Sequence, residues 1–199
     1  ARWLIENTRG KGYRKIHFAA RDGYLIKKAY DILSEGEEGL PESAYIRISR
    51  KSFAIADIHS LADIHSIVHK LNFLQQSPDS IYELFLPVMS DASKAEYQMY
   101  RDESKGLCAV KFTDRAQFDM FMTNLYNKYL KDAEFAEYQA MLKKYFGEQF
   151  KENDVLFDIG YSGRIELALN KLLGFKIISF YIHTNHDVIV RRNQVSDFN

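Results

Sequence analysis

At 199 residues, the chain has room for one domain with a sizeable insertion and is long enough to bury a substantial core. Lys and Arg number 27, as do Asp and Glu, and this balance excludes a protein that holds nucleic acid or a membrane surface by bulk electrostatics. The single cysteine, Cys108, excludes an internal disulfide, and no apolar run approaches the roughly 20 residues that span a bilayer.

The chain begins at Ala1 in a helix-like stretch containing Trp3, Leu4 and Ile5, as expected of a segment of a longer polypeptide. After the turn signal Gly10-Lys-Gly12, residues 15–20 (Lys-Ile-His-Phe-Ala-Ala) read as a short buried strand. Residues 24–33 space Leu25, Ala29, Ile32 and Leu33 as a helix does, and Gly36, Gly39 and Pro41 end it. Residues 43–49 alternate as a second strand, with Tyr45, Arg47 and Ser49 on one face and Ile46 and Ile48 on the other. Strand, helix and strand within about 35 residues have the size of a βαβ unit.

Residues 52–150 change character. Helical patterns run through 52–74, 80–88, 114–130 and 133–150, with one short strand expected at 109–112 and Thr113 or Asp114 as a helix cap. Breaks are expected near Pro78, Pro87, residues 90–93 and residues 104–106. The aromatic wealth of 112–150 reads as packing between helices. His65 and His69, four apart, would share a helix face, but no glutamate-containing zinc motif accompanies them and no metal site is read. The α/β pattern then resumes: a buried strand at 154–159, a tight loop at 160–163, a helix over 164–173 ended by Gly174, and a last strand at 176–182.

The fold predicted is α/β, a Rossmann-like parallel sheet in order 2-1-3-4. Residues 1–51 and 151–199 form its core, and 52–150 a large helical insertion or cap. Ligands of such sheets bind at the carboxyl ends of strands, where the strand order reverses. That point lies between strands one and three, whose following loops are the two glycine-containing motifs Ala20-Arg-Asp-Gly23 and Asp158-Ile-Gly-Tyr-Ser-Gly-Arg164.

Glycines let a backbone approach a ligand, and a helix start offers free N–H groups and positive potential, which together favour an anion. Candidate ligand-binding residues are therefore Arg21, Gly23, Gly160, Tyr161, Ser162, Gly163 and Arg164, with Arg47, Ser49 and Arg50 at the end of the second strand. Arg21, Arg47, Arg50, Lys51 and Arg164 would form one cationic cluster. Asp22 caps its helix or binds a hydroxyl or metal. Asp158 is a structural acceptor or an acid/base. These two are the candidate catalytic residues. Gly160-Tyr-Ser-Gly163 is not a nucleophile elbow, because its second glycine comes one residue too early.

Three motifs together, Phe18-Ala-Ala-Arg-Asp-Gly-Tyr-Leu25, Tyr45-Ile-Arg-Ile-Ser-Arg-Lys51 and Leu156-Phe-Asp-Ile-Gly-Tyr-Ser-Gly163, resemble a bacterial domain that follows a haloacid-dehalogenase-like module in surface-polysaccharide biosynthesis proteins. Such proteins are described as hydrolases of that superfamily and are sometimes fused to glycosyltransferases. The resemblance covers about residues 12–182. The superfamily's nucleophilic Asp falls here on Ala20, which cannot attack phosphorus. The layout also resembles, more distantly, that of phosphoribosyltransferases, although Phe157 stands where their second acid would precede Asp158.

The lone cysteine suits a reducing, cytoplasmic compartment. The motifs and these resemblances imply a domain that binds an anionic small molecule, a sugar phosphate or nucleotide sugar, as a hydrolase or a glycosyl or phosphoribosyl transferase. A non-catalytic interaction module is the alternative. The expected partner is an upstream domain of the same polypeptide, not nucleic acid. No cofactor is specified, though Mg²⁺ would suit phosphate and carboxylate chemistry.

Overall fold

The structure is a computed structural model. It describes residues 1–56, 58, 60, 62–64, 72–130, 133–160, 163–186 and 189, without the side chains of Arg50 and Lys51. The chain divides into two compact units: 1–50 with 143–199, and 51–142.

The first unit carries a four-stranded parallel sheet in the order β2-β1-β3-β4, with β1 at Lys15–Ala19, β2 at Glu42–Ile46, β3 at Val155–Asp158 and β4 at Ile178–Tyr181. The two central strands are buried along almost their whole length. A parallel strand covered on both faces has no side to leave polar. Ile16, Phe18, Val155, Leu156 and Phe157 are all buried, whereas the edge strands β2 and β4 keep exposed positions. Helix α1 (Arg2–Thr8) contributes Leu4 and Ile5 to the core around Phe18 and Phe157.

Helix α2 (Gly23–Ser34) follows β1 as expected but buries a different side. Leu25 and Ile32 are each 72% exposed, and Leu33 is exposed as well. The buried side is Gly23 and Tyr30, with Ile26 partly covered between them. Gly23 decides this. A Cβ there would lie 3.1 Å from the Phe18 carbonyl carbon, so the missing side chain lets the helix start against β1. Tyr30, two turns on, packs on Phe18 and donates its hydroxyl to the Pro41 carbonyl at 2.9 Å.

Central strand β1 also buries His17. Its Nε2 lies 3.0 Å from Asp154 Oδ2, which also accepts from Arg14 Nη2 at 2.5 Å and from the Lys151 N–H at 2.9 Å. The imidazole packs on Phe150, which follows helix α7 (Phe135–Gln149). Asp154 thus ties the starts of β1 and β3 together beneath the sheet.

In the second unit, helix α3 (Arg50–Ala56) follows β2, and α4 (Pro78–Phe85), α5 (Asp91–Glu103) and α6 (Arg115–Leu125) surround a core that includes Ile81, Phe85, Phe118 and Met122. Three of these starts are capped by side chains: Ser77 and Ser80 reciprocally at α4, Ser90 at α5 and Asp114 at α6. Helix α5 is absent from the sequence expectation, which placed a break at 90–93. Tyr97 is its one buried residue, so it carries almost no apolar periodicity. The strand expected at 109–112 is not formed: a 3₁₀ turn at Leu107–Ala109 follows Gly106. The helix expected through 114–130 changes at Tyr126–Leu130 into a π-helical turn. Among the described residues, no helix is long and apolar enough to cross a membrane.

Burial lowers the His17 pKa, with the Asp154 hydrogen bond opposing it in part. A histidine depressed in the folded state contributes stability above its unfolded value of about 6.5, and that contribution is lost as pH falls. Unfolding free energy should therefore decline below about pH 6.5, by at most about 1.4 kcal/mol per pH unit for one proton. In His17→Gln, which keeps a donor for Asp154, this decline should flatten. Urea melts of both proteins between pH 7.5 and 5 measure it, and parallel declines would assign the acid sensitivity elsewhere.

Candidate functional site

The carboxyl ends of β1 and β3 lie side by side, and a cavity of about 180 Å³ opens there. From the first strand and its turn it is lined by Ala19, Ala20, Arg21 and Asp22. The segment after β2 supplies Ile48 and Ser49, and the end of β3, its following loop and the next helix start supply Asp158, Ile159, Gly160, Gly163, Arg164 and Ile165. The two turns picked out from sequence thus meet around one opening.

Each turn has a distinct backbone. Arg21 sits at φ +69°, in the left-handed region, a strained conformation for a residue with a side chain. It is held from both sides: its N–H donates to the Tyr45 hydroxyl at 2.9 Å, and its carbonyl accepts from the Tyr24 N–H at 3.2 Å. Tyr45 in turn stands edge-on to Tyr24, with ring centroids 5.8 Å apart. Asp22 occupies the cap position of α2, but its side chain makes no capping bond and is exposed at the cavity. The capping expected of Asp22 is therefore not observed.

In the second turn, Asp158 Oδ1 accepts from the Gly160 N–H at 2.9 Å, folding the carboxylate back over the loop. A Cβ on Gly160 would come within 2.6 Å of Asp158 Oδ2, so a side chain there would push the folded-back carboxylate aside. Gly163 adopts φ +65° and starts helix α8 (Arg164–Leu173) without a side-chain cap. Neither helix start carries a side-chain cap; Asp22, just before α2, and Gly163 and Arg164 at the start of α8 line the cavity.

The remaining candidates fall into three groups. Gly23 is buried against Phe18 and serves helix–strand packing. Arg47 is exposed and does not line the cavity. Tyr161, Ser162, the side chains of Arg50 and Lys51, and the histidine pair His65 and His69 lie outside the described residues. Among the described residues, no group of three His, Cys, Asp or Glu side chains is placed to hold a metal.

Two features behind the cavity carry no signal in the sequence pattern. Glu166, buried in the first turn of α8, accepts from the Tyr181 hydroxyl at 2.8 Å, tying that turn to β4. Burial, then the Glu166 charge, pushes the Tyr181 phenol far above its ordinary range, so it remains a neutral donor. Tyr45 is the other feature. Alternation placed it on a strand face, but its hold on Arg21 depends on the register that pairs β1 with β2.

Replacing Arg21 with glycine should relieve the left-handed strain. The expected gain is about 0.5–1 kcal/mol after allowing for the entropy of glycine in the unfolded chain. Equilibrium denaturation checks this. A loss of stability would mean that the Arg21 side chain itself holds the fold.

Comparison of the chain with protein-family models, with curated proteins and with solved structures gave no match.

Proposed function

We propose that the α/β unit binds a small phosphorylated molecule, a sugar phosphate, in the cavity at the ends of β1 and β3. The observation that carries this reading is the convergence on one cavity of two uncapped helix starts, the strained Arg21 and Arg164, with Asp22 and Asp158. Two arginines against two carboxylates leave little net side-chain charge. The positive potential then comes from the helix ends, each equivalent to roughly half a unit charge. Such a site takes a phosphoryl group at the N–H groups and guanidinium forks, while the carboxylates accept from sugar hydroxyls. A volume of about 180 Å³ suits a phosphate end with a small moiety better than a whole nucleotide sugar.

At the cavity, Ala20 stands where the dehalogenase-like resemblance would put the aspartyl nucleophile. Catalysis here would therefore be hydrolysis or transfer without a phosphoenzyme, with Asp158 or Asp22 as acid/base. The phosphoribosyltransferase-like reading uses the same two turns. The interaction-module reading draws on one specific observation, the exposed apolar side of α2 formed by Leu25 and Ile32.

Calorimetric titration of phosphate and pyrophosphate tests the proposal. Arg164→Ala and Arg21→Gly should each weaken binding by roughly three- to tenfold, the range for exposed to partly buried charge-assisted bonds. Arg21→Gly should do so while stabilising the fold. Binding that depends on backbone donors should persist in part at 0.5 M salt, where exposed pairs are screened. Equal, weak and fully salt-sensitive heats in all three proteins would reduce both loops to turns.

A second titration separates a metal-assisted site from a bare anion site. Asp158→Asn keeps an acceptor for the Gly160 N–H but removes the charge. If Mg²⁺ bridges the carboxylate and phosphate, the variant should lose any tightening that Mg²⁺ confers on pyrophosphate binding. If the anion binds alone, the variant should bind more tightly than the parent with or without Mg²⁺. Unchanged affinity in both conditions would place Asp158 outside the site.

A further inference from the structure

We infer that the helical unit has a binding site of its own for a neutral sugar ring, in the cavity between α5 and the end of α6. This cavity, about 490 Å³, lies within the roughly 300–1,000 Å³ typical of ligand pockets. Its floor is Tyr97 and Tyr129, both buried, and Tyr100 and Phe121 form its more open sides.

Its polar groups are few and uncharged in sum. Lys128 is neutralised by Glu96 at 3.0 Å and lies over the Tyr129 ring at 5.1 Å. Asn124 and Asn127 line the same cavity, are exposed, and bond to no described residue. Each carboxamide offers donors and an acceptor together, matching hydroxyl groups, which also do both. A phosphate or carboxylate would find no unpaired cation here among the described residues.

The backbone marks the same place. Asn127, Lys128 and Tyr129 belong to the π-helical turn at Tyr126–Leu130, a conformation that is rare and recurs at functional sites. The wider turn departs from the α-helix directly after Leu125, at the point where the chain passes the cavity.

Ring geometry selects the shape of ligand. Tyr97 meets Tyr100 at 56° and Tyr129 at 82°, so these rings form angled walls. A parallel pair of rings would sandwich a flat heterocycle. The parallel pair at this place, Tyr82 and Tyr97, is already closed at 3.7 Å. A puckered pyranose fits angled walls: its face of axial hydrogens rests on an aromatic ring and its rim of hydroxyls reaches the amides.

Saturation-transfer NMR on the whole chain tests this, with methyl β-glucoside, methyl α-mannoside and N-acetylglucosamine as probes and adenosine as the flat comparator. At least one pyranoside should receive saturation on its ring protons, undiminished by inorganic phosphate. Asn127→Ala and Tyr100→Ala replace exposed side chains and should weaken that binding at least about tenfold, whereas Tyr100→Trp, with a larger ring, should retain or strengthen it. No transfer to any pyranoside, transfer that survives both alanine variants, displacement by phosphate, or binding of adenosine alone would each overturn the inference.

Discussion

Everything at the candidate phosphate site depends on the pairing of β1 with β3. Their partners in register, Ile16 with Val155 and Phe18 with Phe157, are separated by well over a hundred residues of chain. No local preference brings them together. What does is burial on both faces: strands covered on both sides are satisfied only inside a covered sheet, with His17 the one polar side chain of the two core runs to be matched there. Once they are neighbours and parallel, their following turns must emerge at the same edge, and the helix starts that close those turns must point at the same space. The ion pair beneath the sheet reinforces this registration. Asp154, just before β3, gathers Arg14 and His17 from the approach to β1 and from β1 itself. A shift of one residue would strand a buried carboxylate without its partners.

The two turns solve one geometrical problem with different residues. Each chain must leave a strand and start a helix, and each passes through the left-handed region, at Gly163 after β3 and at Arg21 after β1. Glycine does so freely. Arginine does so at a cost, and the surroundings hold it there, with the Tyr45 hydroxyl on its N–H. This strain sits at the rim of the cavity, where a glycine would relieve it. On the proposed reading, the cationic fork at Arg21 and the backbone donors at Gly163 would be complementary ways of meeting an anion.

The parts legible in the sequence were those fixed by nearest neighbours and by burial on two faces. The central strands, the strand order and the two glycine-containing turns all belong to this class. Helix α2 shows the limit. Its apolar spacing at Leu25, Ile32 and Leu33 is real, but the helix is seated by Gly23, a residue with no hydrophobic signal at all. Helix α5 was missed for the reverse reason, since it turns one buried residue inward and leaves the rest to solvent. Of the expected cationic cluster, Arg21 and Arg164 reach the cavity, whereas Arg47 is exposed and does not line it. Long-range side-chain pairs such as Glu166 with Tyr181 leave no local trace in either element.

The central claim is that backbone N–H groups of these two turns form one anion site. Amide chemical shifts report on it directly. In ¹H–¹⁵N spectra of the labelled chain titrated with inorganic phosphate, the amides of residues 20–23 and 160–165 should move together along one saturable curve, while those of the helical unit stay in place. Shifts scattered over surface lysines and arginines, or two turns that respond with unrelated affinities, would contradict the account.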